Sequence, residues 1–152
     1  MDTSPDFTAY EAKSSAFAAL RAEIFPENKR MLFEVLASAR IDTVVVEFDG
    51  CGDSGQIESV SGFTADNEEV ALPSAPVETR EVIFDDLTIN LVTGTPHEII
   101  EAMAYDFLEQ THSGWEDGDG AFGQFTFAVA DQSTTLEFNE RYVDSNCHQH
   151  EF

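Results

Sequence analysis

Residues Ile41–Phe63 read IDTVVVEFDGCGDSGQIESVSGF, two apolar runs that flank a glycine-rich segment. In the first run Val44, Val46 and Phe48 recur at every second position among β-branched residues, which is typical of a strand with one buried face. The second run, QIESVSGF, has the character of a return strand. We therefore predict an antiparallel hairpin over residues 42–62 with a long glycine-rich tip.

Two further segments carry the same signal. TREVIFDDLTINLV has strand-like runs on either side of Asp85 and Asp86, and GQFTFAVADQSTTLEF has two more around a turn near Asp131. A short strand is also predicted at 69–72. Each pair of runs predicts an antiparallel hairpin. In the middle hairpin the apolar residues are expected to line one side of each strand: Val82 and Phe84 on the first, and Leu87, Ile89 and Leu91 on the second.

Helical periodicity occupies the N-terminal 40 residues and one later segment. A capping box predicts a helix start at Thr8, and Pro26 suits the first turn of a second helix, so residues 1–40 are predicted to form a helical pair. The clearest helix begins after Thr95, where a second capping box stands, and is expected to end at Gly114.

This order of elements predicts an α+β fold. It combines an N-terminal helical pair, antiparallel hairpins that form a sheet, and one long helix inserted before the C-terminal hairpin. A chain of 152 residues is long enough to bury one hydrophobic core, so we expect a single domain over residues 1–152. Within it, residues 1–40 form the helical pair and residues 41–152 form an acidic sheet with its helix.

The charge distribution is strongly asymmetric. Thirty acidic and seven basic residues give a net charge of −23, and residues 41–152 hold 24 of the acidic residues but only two of the basic ones. Such a surface repels nucleic acid and anionic membranes and attracts basic proteins and cations. We therefore expect a basic protein as partner, and neither direct nucleic-acid binding nor membrane binding.

The N-terminus shows no basic, apolar leader, and no apolar run reaches the roughly 18 residues that a membrane span requires, so we expect a cytoplasmic protein. In a reducing cytosol Cys51 and Cys147 are expected to be free thiols. Cys147, His148 and His150 near the C-terminus are too few for a structural zinc site, which needs four ligands.

The segment GDSG around Ser54 resembles the nucleophile loop of a serine protease, but the rest of the sequence argues against that chemistry. A nucleophilic serine needs a histidine base, and the first histidine in the chain is His97. The protease pattern would also continue with a second glycine, where Gln56 stands. A structural interpretation remains, in which the glycines adopt turn conformations and Asp and Ser bond to nearby backbone.

A cation site is the second interpretation of the same segment. Hard cations such as Ca²⁺ and Mg²⁺ are bound by carboxylate oxygens, and this loop and a later loop, WEDGDGAFG, are both acidic. If the two loops were neighbours, their carboxylates could converge. The candidate metal ligands are Asp49, Asp53, Asp117 and Asp119, with Glu116 beside them.

His112 stands at the end of the long helix, a few residues before the second acidic loop. The helix C-terminus favours a protonated histidine there, which is a structural role. Beside an acidic loop it could instead act as a general base. The first interpretation is the one we favour, and no cofactor other than Ca²⁺ or Mg²⁺ is indicated.

Three segments taken together resemble a known family: VVVEFDGCGDSGQIE, AYDFLEQTHSGWEDGDGAFGQFTF and the closing HEF. The family consists of small uncharacterised bacterial proteins, a domain of unknown function often encoded on plasmids and other mobile elements. The resemblance covers about residues 32–152 and implies a fold and a mobile-element setting, but no reaction. The matching positions are Asp49, Gly50, Gly52, Asp53, Ser54, Gly55, Trp115, Glu116, Gly120, Gly123, His150 and Glu151.

From these features we predict a non-enzymatic, acidic protein-binding module. It would mimic nucleic acid and inhibit a nucleic-acid-binding complex, such as a defence complex of the CRISPR or restriction type. A homodimer through the near-neutral helical pair is a further expectation. The predicted partner-binding residues are Asp49, Asp53, Ser54, Glu58, Glu116, Asp117 and Asp119.

Two alternatives stay open. The first is a divalent-cation-dependent hydrolase that uses both acidic loops, with His112 as its base. Phosphate substrates usually require nearby cations, and only Arg80 and Arg141 are available beyond residue 40, so we rank this alternative second. The other is an acidic structural domain that binds neither metal nor partner.

Overall fold

The computed structural model describes residues 5–152, with side chains from residue 8 onward. The first four residues of the predicted helical pair lie outside the described residues. Two helices and seven strands follow one another in this part of the chain. They are α1 (Pro5–Ser38), β1 (Thr43–Cys51), β2 (Ser54–Phe63), β3 (Glu69–Val70), β4 (Val77–Ile83), β5 (Thr88–Gly94), α2 (Pro96–Thr111), β6 (Ala121–Ala128) and β7 (Ser133–Glu140).

The predicted helical pair is wrong, because α1 is one continuous helix of 34 residues that includes Pro26. The predicted start at Thr8 also falls inside this helix. A short stretch of sequence does not distinguish a proline in the first turn of a helix from a proline in its middle. Pro26 lies on an exposed side of α1, where water can solvate the carbonyl that loses its partner.

A five-stranded antiparallel sheet in the order β3-β2-β1-β6-β7 forms the centre of the fold. Strand β1 lies in the middle, with Val46 opposite Val60 on one side and Phe125 on the other. The predicted first and last hairpins are confirmed as β1–β2 and β6–β7, and the last turn includes the hydrogen bond from the Gln132 N–H to the Val129 carbonyl. The predicted short strand is present as β3.

The tip of the first hairpin differs from the prediction. Strands β1 and β2 extend through the glycines as far as the pair Cys51 and Ser54, so the turn contains only Gly52 and Asp53. Both residues have positive φ angles, +60° and +68°, as the two central residues of a type I′ turn do. This turn follows the right-handed twist of the strands, which is why no longer loop is needed.

One face of the large sheet is buried beneath the two helices. The alternation predicted for β1 is confirmed, since the side chains of Val44 and Val46 are fully buried and Phe48 is 2% exposed. The second half of α1 and the buried face of α2 cover them. The helical and β6 residues in this core are Leu32, Phe33, Leu36, Ile100, Ala104, Leu108, Phe125 and Phe127.

The middle hairpin, β4–β5, is confirmed as a hairpin but forms a separate two-stranded sheet. The sequence predicts that all the hairpins form one sheet, and for this hairpin that prediction is wrong. Helix α1 holds it: Phe17 lies edge-on to Phe84 with ring centroids 5.2 Å apart. The side-chain amide of Asn28 also bonds to the outer edge of β4 and occupies the place of a further strand.

Helix α2 agrees closely with the prediction. Thr95 is its N-cap, and the Thr95 hydroxyl and the Glu98 carboxylate complete the capping box in both directions. The helix ends at Thr111, and His112 is its C-cap, two residues before the predicted end. Among the described residues, no helix is both long enough and apolar enough to cross a membrane.

Candidate functional site

The two glycine-rich loops contact each other directly. The N–H of Gly52 donates to the carbonyl of Gly118 at 3.1 Å, and the N–H of Asp53 donates to the carbonyl of Glu116 at 3.0 Å. We call residues 49–58, at the tip of β1–β2, together with residues 114–121, from the end of α2 to the start of β6, the two-loop site. The fold therefore brings together most of the residues that the sequence singled out.

Trp115 explains two of the glycines in this site. Its side chain is 8% exposed and lies edge-on to Phe48, with ring centroids 5.4 Å apart. A Cβ atom on Gly50 would lie 2.6 Å from the indole ring, and one on Gly55 would lie 2.5 Å from it. Glycine is required at both strand positions because the indole packs directly against the backbone of the hairpin.

Gly120 is fixed by an even closer backbone approach. Its φ angle is +80°, and a Cβ atom there would lie 1.7 Å from the carbonyl oxygen of Gly50. No side chain fits into that distance, so the backbone of the second loop rests on the backbone of the first. The glycine pattern that resembles a ligand-binding loop is thus accounted for by close packing.

Asp49 and Arg141 form the principal ion pair of the site. The guanidinium donates from Nη1 to Oδ1 at 2.8 Å and from Nη2 to Oδ2 at 3.1 Å, which is a two-pronged contact. It also donates to the carbonyl of Gly50 at 3.2 Å and lies 4.6 Å from the ring centroid of Phe122. The hydrogen bond from Arg141 lowers the pKa of the Asp49 carboxyl below its ordinary value.

This ion pair is not predictable from the sequence. There Asp49 is a candidate metal ligand and partner-binding residue, and Arg141 is one of only two basic residues beyond residue 40. The two residues are 92 positions apart, and no local pattern links them. The structure shows that Arg141 fixes the end of β7 to the tip of the first hairpin, which no single-segment motif could reveal.

The predicted cation site has the required neighbouring loops but not converging ligands. Among the described residues, no group of three or more His, Cys, Asp or Glu side chains is arranged to hold a metal ion. Asp49 is paired with Arg141, and the Asp117 carboxylate turns back towards Gly114. Asp53 and Asp119 are exposed. The geometry thus gives no support to a ligand set made of the four aspartates.

His112 packs against an aromatic side chain of β7. Its ring lies flat on Phe138, with centroids 3.7 Å apart and an angle of 5° between the planes. Its backbone N–H donates to the carbonyl of Leu108 at 2.7 Å and closes the helix. These contacts fit the structural role that the sequence favoured.

The thiols and the C-terminal histidines make few contacts. Cys51 and Cys147 are free thiols, as predicted, and the structure shows that both are exposed. His148 and His150 lie on an exposed terminal segment, where the ring of His150 faces that of Phe152 at 6.5 Å. Their positions add nothing to the case for zinc.

Negative charge covers the outside of this site. No charged side chain of residues 8–152 is buried, and Asp53, Ser54, Glu58, Asp117 and Asp119 are all exposed. Glu116 is half-buried beside Trp115. Since Arg141 is engaged by Asp49, the site presents an acidic surface with little local compensation.

Comparison with known proteins identifies a family. No curated protein and no solved structure matches the chain. Residues 24–152 do match a family of unknown function, DUF6878. This range covers most of the chain and includes both glycine-rich loops, Trp115 and Arg141. The protein is therefore a member of DUF6878, a family of unknown function.

Proposed function

We propose that this protein is a non-catalytic, acidic binding module that recognises a basic protein surface. One observation carries the proposal. The part of the chain from residue 41 holds 24 acidic residues and two basic ones, and one of those two, Arg141, is paired with Asp49. Dense negative charge attracts basic surfaces and accelerates association with them.

The two-loop site is the part of this surface best suited to a specific contact. Asp53, Glu58, Asp117 and Asp119 are exposed there. The backbone of the two loops is held by the two hydrogen bonds between them and by the packing of Trp115 against the glycines. A binding surface held in one arrangement loses little conformational entropy when a partner binds. Asp49 supports this surface by holding Arg141.

The partner proposed here is a protein that normally binds nucleic acid. Its groove would be lined with Lys and Arg side chains that bind closely spaced phosphates. Carboxylates at comparable density can occupy the positions of those phosphates. The resemblance to bacterial proteins of plasmids and other mobile elements makes a defence complex, of the CRISPR or restriction type, the first class to test. The protein would then act as an inhibitor that excludes the nucleic acid.

The test is displacement of nucleic acid. A fluorescent DNA duplex would be bound to an RNA-guided nuclease complex and, separately, to restriction endonucleases, and the protein would be titrated into each. We expect displacement from at least one of them, at least ten-fold weaker in 200 mM than in 50 mM NaCl. Failure to displace DNA from any of them, or displacement that salt does not change, would overturn the proposal.

Two charge variants locate the surface. In the site variant, Asp53→Asn, Glu58→Gln, Asp117→Asn and Asp119→Asn remove four charges from the two-loop site. In the matched control, Asp66→Asn, Glu68→Gln, Glu81→Gln and Asp85→Asn remove four from other exposed positions. We expect the site variant to lose at least ten-fold in affinity and the control less than three-fold. Equal losses would assign the interaction to net charge and refute the role of the two-loop site.

A further inference from the structure

Strand β5 presents an unusual edge. Its sequence, TINLVTG, contains no charged residue and no proline, although the chain carries a net charge of −23. Every residue from Thr88 to Thr93 is exposed, and the side chains of Ile89 and Leu91 are 44% and 62% exposed. β5 pairs with β4 on one side, and no strand of the described residues lies on the other.

The remaining sheet edges of the described residues are protected. β7 carries Glu137 and Glu140, and β3 is only two residues long and contains Glu69. The part of β2 that β3 leaves unpaired carries Glu58. The outer edge of β4 is occupied by Asn28, which accepts from the N–H of Arg80 and donates to its carbonyl, both at 2.8 Å. Natural proteins protect edge strands in these ways to prevent pairing between chains. β5 has none of these devices.

The contact with Asn28 also fixes which backbone groups of β5 face outward. Because Asn28 takes both the N–H and the carbonyl of Arg80, these groups point away from β5. Arg80 lies opposite Leu91, so this pair exchanges no hydrogen bonds within the hairpin. The N–H and carbonyl of Leu91 therefore face the open edge. Since the pattern alternates every two residues, those of Ile89 and Thr93 face it as well.

We propose that β5 pairs with β5 of a second copy of this chain, antiparallel and centred on Leu91. In this register Leu91 lies opposite its own symmetry mate, and Ile89 lies opposite Thr93. These are the three residues with outward backbone groups, so each pairing supplies hydrogen bonds, about six in total. The two hairpins then form one four-stranded sheet across a two-fold axis.

Charge selects a second copy as the occupant. A basic segment would find no carboxylate along β5, so the strand that fits best is itself uncharged. Among the strands of residues 5–152, two are uncharged, and the other one, β6, is already paired on both sides. Two-fold pairing of β5 also uses up both open edges, so the assembly closes as a dimer and does not extend into a fibre.

Self-association through β5 has a salt dependence opposite to that of partner binding. Two chains of −23 repel each other at low ionic strength, and the repulsion is screened as the Debye length falls from about 30 Å at 0.01 M to about 3 Å at 1 M. The dimer is therefore expected to strengthen with added NaCl, whereas contact with a basic partner weakens. The two proposals can thus fail independently.

Cysteine cross-linking tests the register. In a Cys51→Ser/Cys147→Ser background, Leu91→Cys places two thiols on the two-fold axis, with Cα atoms about 5.5 Å apart, which is within the range of a disulfide. Val92→Cys is the matched control, because position 92 lies opposite Asn90 and its symmetry mate is beyond about 7 Å. In 0.5 M NaCl we expect Leu91→Cys to form covalent dimers at least ten times faster.

Analytical ultracentrifugation tests the interface without a cross-link. Leu91→Lys places like charges opposite each other, although it lowers the net negative charge and so reduces general repulsion. Val143→Lys makes the same change of charge at a position that is 77% exposed on the C-terminal segment. We expect Leu91→Lys to shift the dimer equilibrium towards monomer at least ten-fold, and Val143→Lys to leave it equal or stronger.

Three results would overturn the proposal. One is a protein that stays monomeric at millimolar concentration in 0.5 M NaCl. Another is cross-linking at equal rates through positions 91 and 92. The third is self-association that Leu91→Lys does not weaken. Circular dichroism of each variant checks that the fold is retained, and the wild-type protein alone is enough to obtain the first result.

Discussion

Strands β1 and β5 have similar apolar patterns, but the apolar side chains of β1 are buried and those of β5 are exposed. In β1 the alternating residues Val44, Val46 and Phe48 are at most 2% exposed, whereas in β5 Ile89 and Leu91 are 44% and 62% exposed. Periodicity in a sequence shows which side chains share a face of a strand. It does not show whether another element covers that face. β1 lies beneath both helices. β5 lies on the side of β4 away from the edge that Asn28 of α1 occupies.

The two regions are also held by different kinds of contact. At the tip of β1, backbone rests on backbone and on the Trp115 ring, and three glycines leave the necessary space. The β4–β5 hairpin is held by side chains of α1, such as Asn28 and Phe17. Contacts of the first kind tolerate no added atom, and those of the second kind can be removed one at a time. Mutations should therefore differ greatly in effect between the regions.

The largest effect is expected at Gly120. Gly120→Ala would place a Cβ atom 1.7 Å from the Gly50 carbonyl oxygen, which requires the two loops to separate. We expect a loss of about 4 kcal/mol or more in the free energy of unfolding, or failure to fold. Urea denaturation measures it.

Gly52→Ala is the matched control for this change. Gly52 also has a positive φ angle, +60°, but no atom lies within 4 Å of its added Cβ. It should cost only the backbone penalty of about 1–2 kcal/mol. Equal losses in the two variants would mean that the close approach of the loops contributes nothing.

The next largest effect separates the two regions directly. Trp115→Ala empties the space between Phe48 and the hairpin glycines, and we expect a loss of about 3–5 kcal/mol. Leu91→Ala removes an exposed side chain of β5 and should change stability by about 0.5 kcal/mol or less. Chemical denaturation of both, at a concentration where the protein is monomeric, makes the comparison. A large loss for Leu91→Ala would show that β5 is covered within one chain.

A smaller effect, confined to the hairpin, is expected at Asn28. Asn28→Ala removes two hydrogen bonds to Arg80, and we expect a loss of about 1–2 kcal/mol. Amide hydrogen exchange should accelerate in β4 and β5 and stay unchanged in β1. Glu23→Ala, an exposed change on the same helix, controls for helix stability. Acceleration throughout the large sheet would contradict the independence of the two regions.

The smallest effect depends on pH. Because Arg141 lowers the pKa of Asp49 below its ordinary value of 3.8, this pair stabilises the fold above that value. The contribution is lost as the pH falls through the lower, folded-state pKa. Asp49→Asn should therefore lower the Tm at pH 7, by less than Trp115→Ala does, and the difference should shrink as the pH falls below 3.8.

Asp66→Asn, at an exposed position, gives the same change of charge as a control for Asp49→Asn. It should show no such pH-dependent difference in Tm. A deficit for Asp49→Asn that does not shrink as the pH falls below 3.8 would show that the ion pair does not act through the ionised carboxylate.

Local signals in the sequence were sufficient for the hairpins and for α2. Thr95 and Glu98 form a capping box that depends only on neighbouring residues, and the alternation in β1 is equally local. The continuity of α1 was not predictable in this way. It depends on the packing of Leu32, Phe33 and Leu36 in the core, which outweighs the cost of Pro26.

The candidate site shows the same division. The glycine-rich composition of residues 50–55 predicts a long hairpin tip, whereas the strands continue through Gly50 and Gly55 to a turn of two residues, Gly52 and Asp53. The reason for glycine at both positions is Trp115, about 60 residues later in the chain. Relationships of this kind need the tertiary structure.

The pairing of β1 with β6 sets the order in which the chain can fold. β1–β2 closes through a two-residue turn, whereas Gly50 reaches Ala121 only after about 70 residues have been looped back. The hairpin can form within microseconds, and the long closure is the slower step. Trp115 is the single tryptophan of the chain and packs where β1 meets the start of β6. The change of its fluorescence during refolding therefore measures the rate of this slower step.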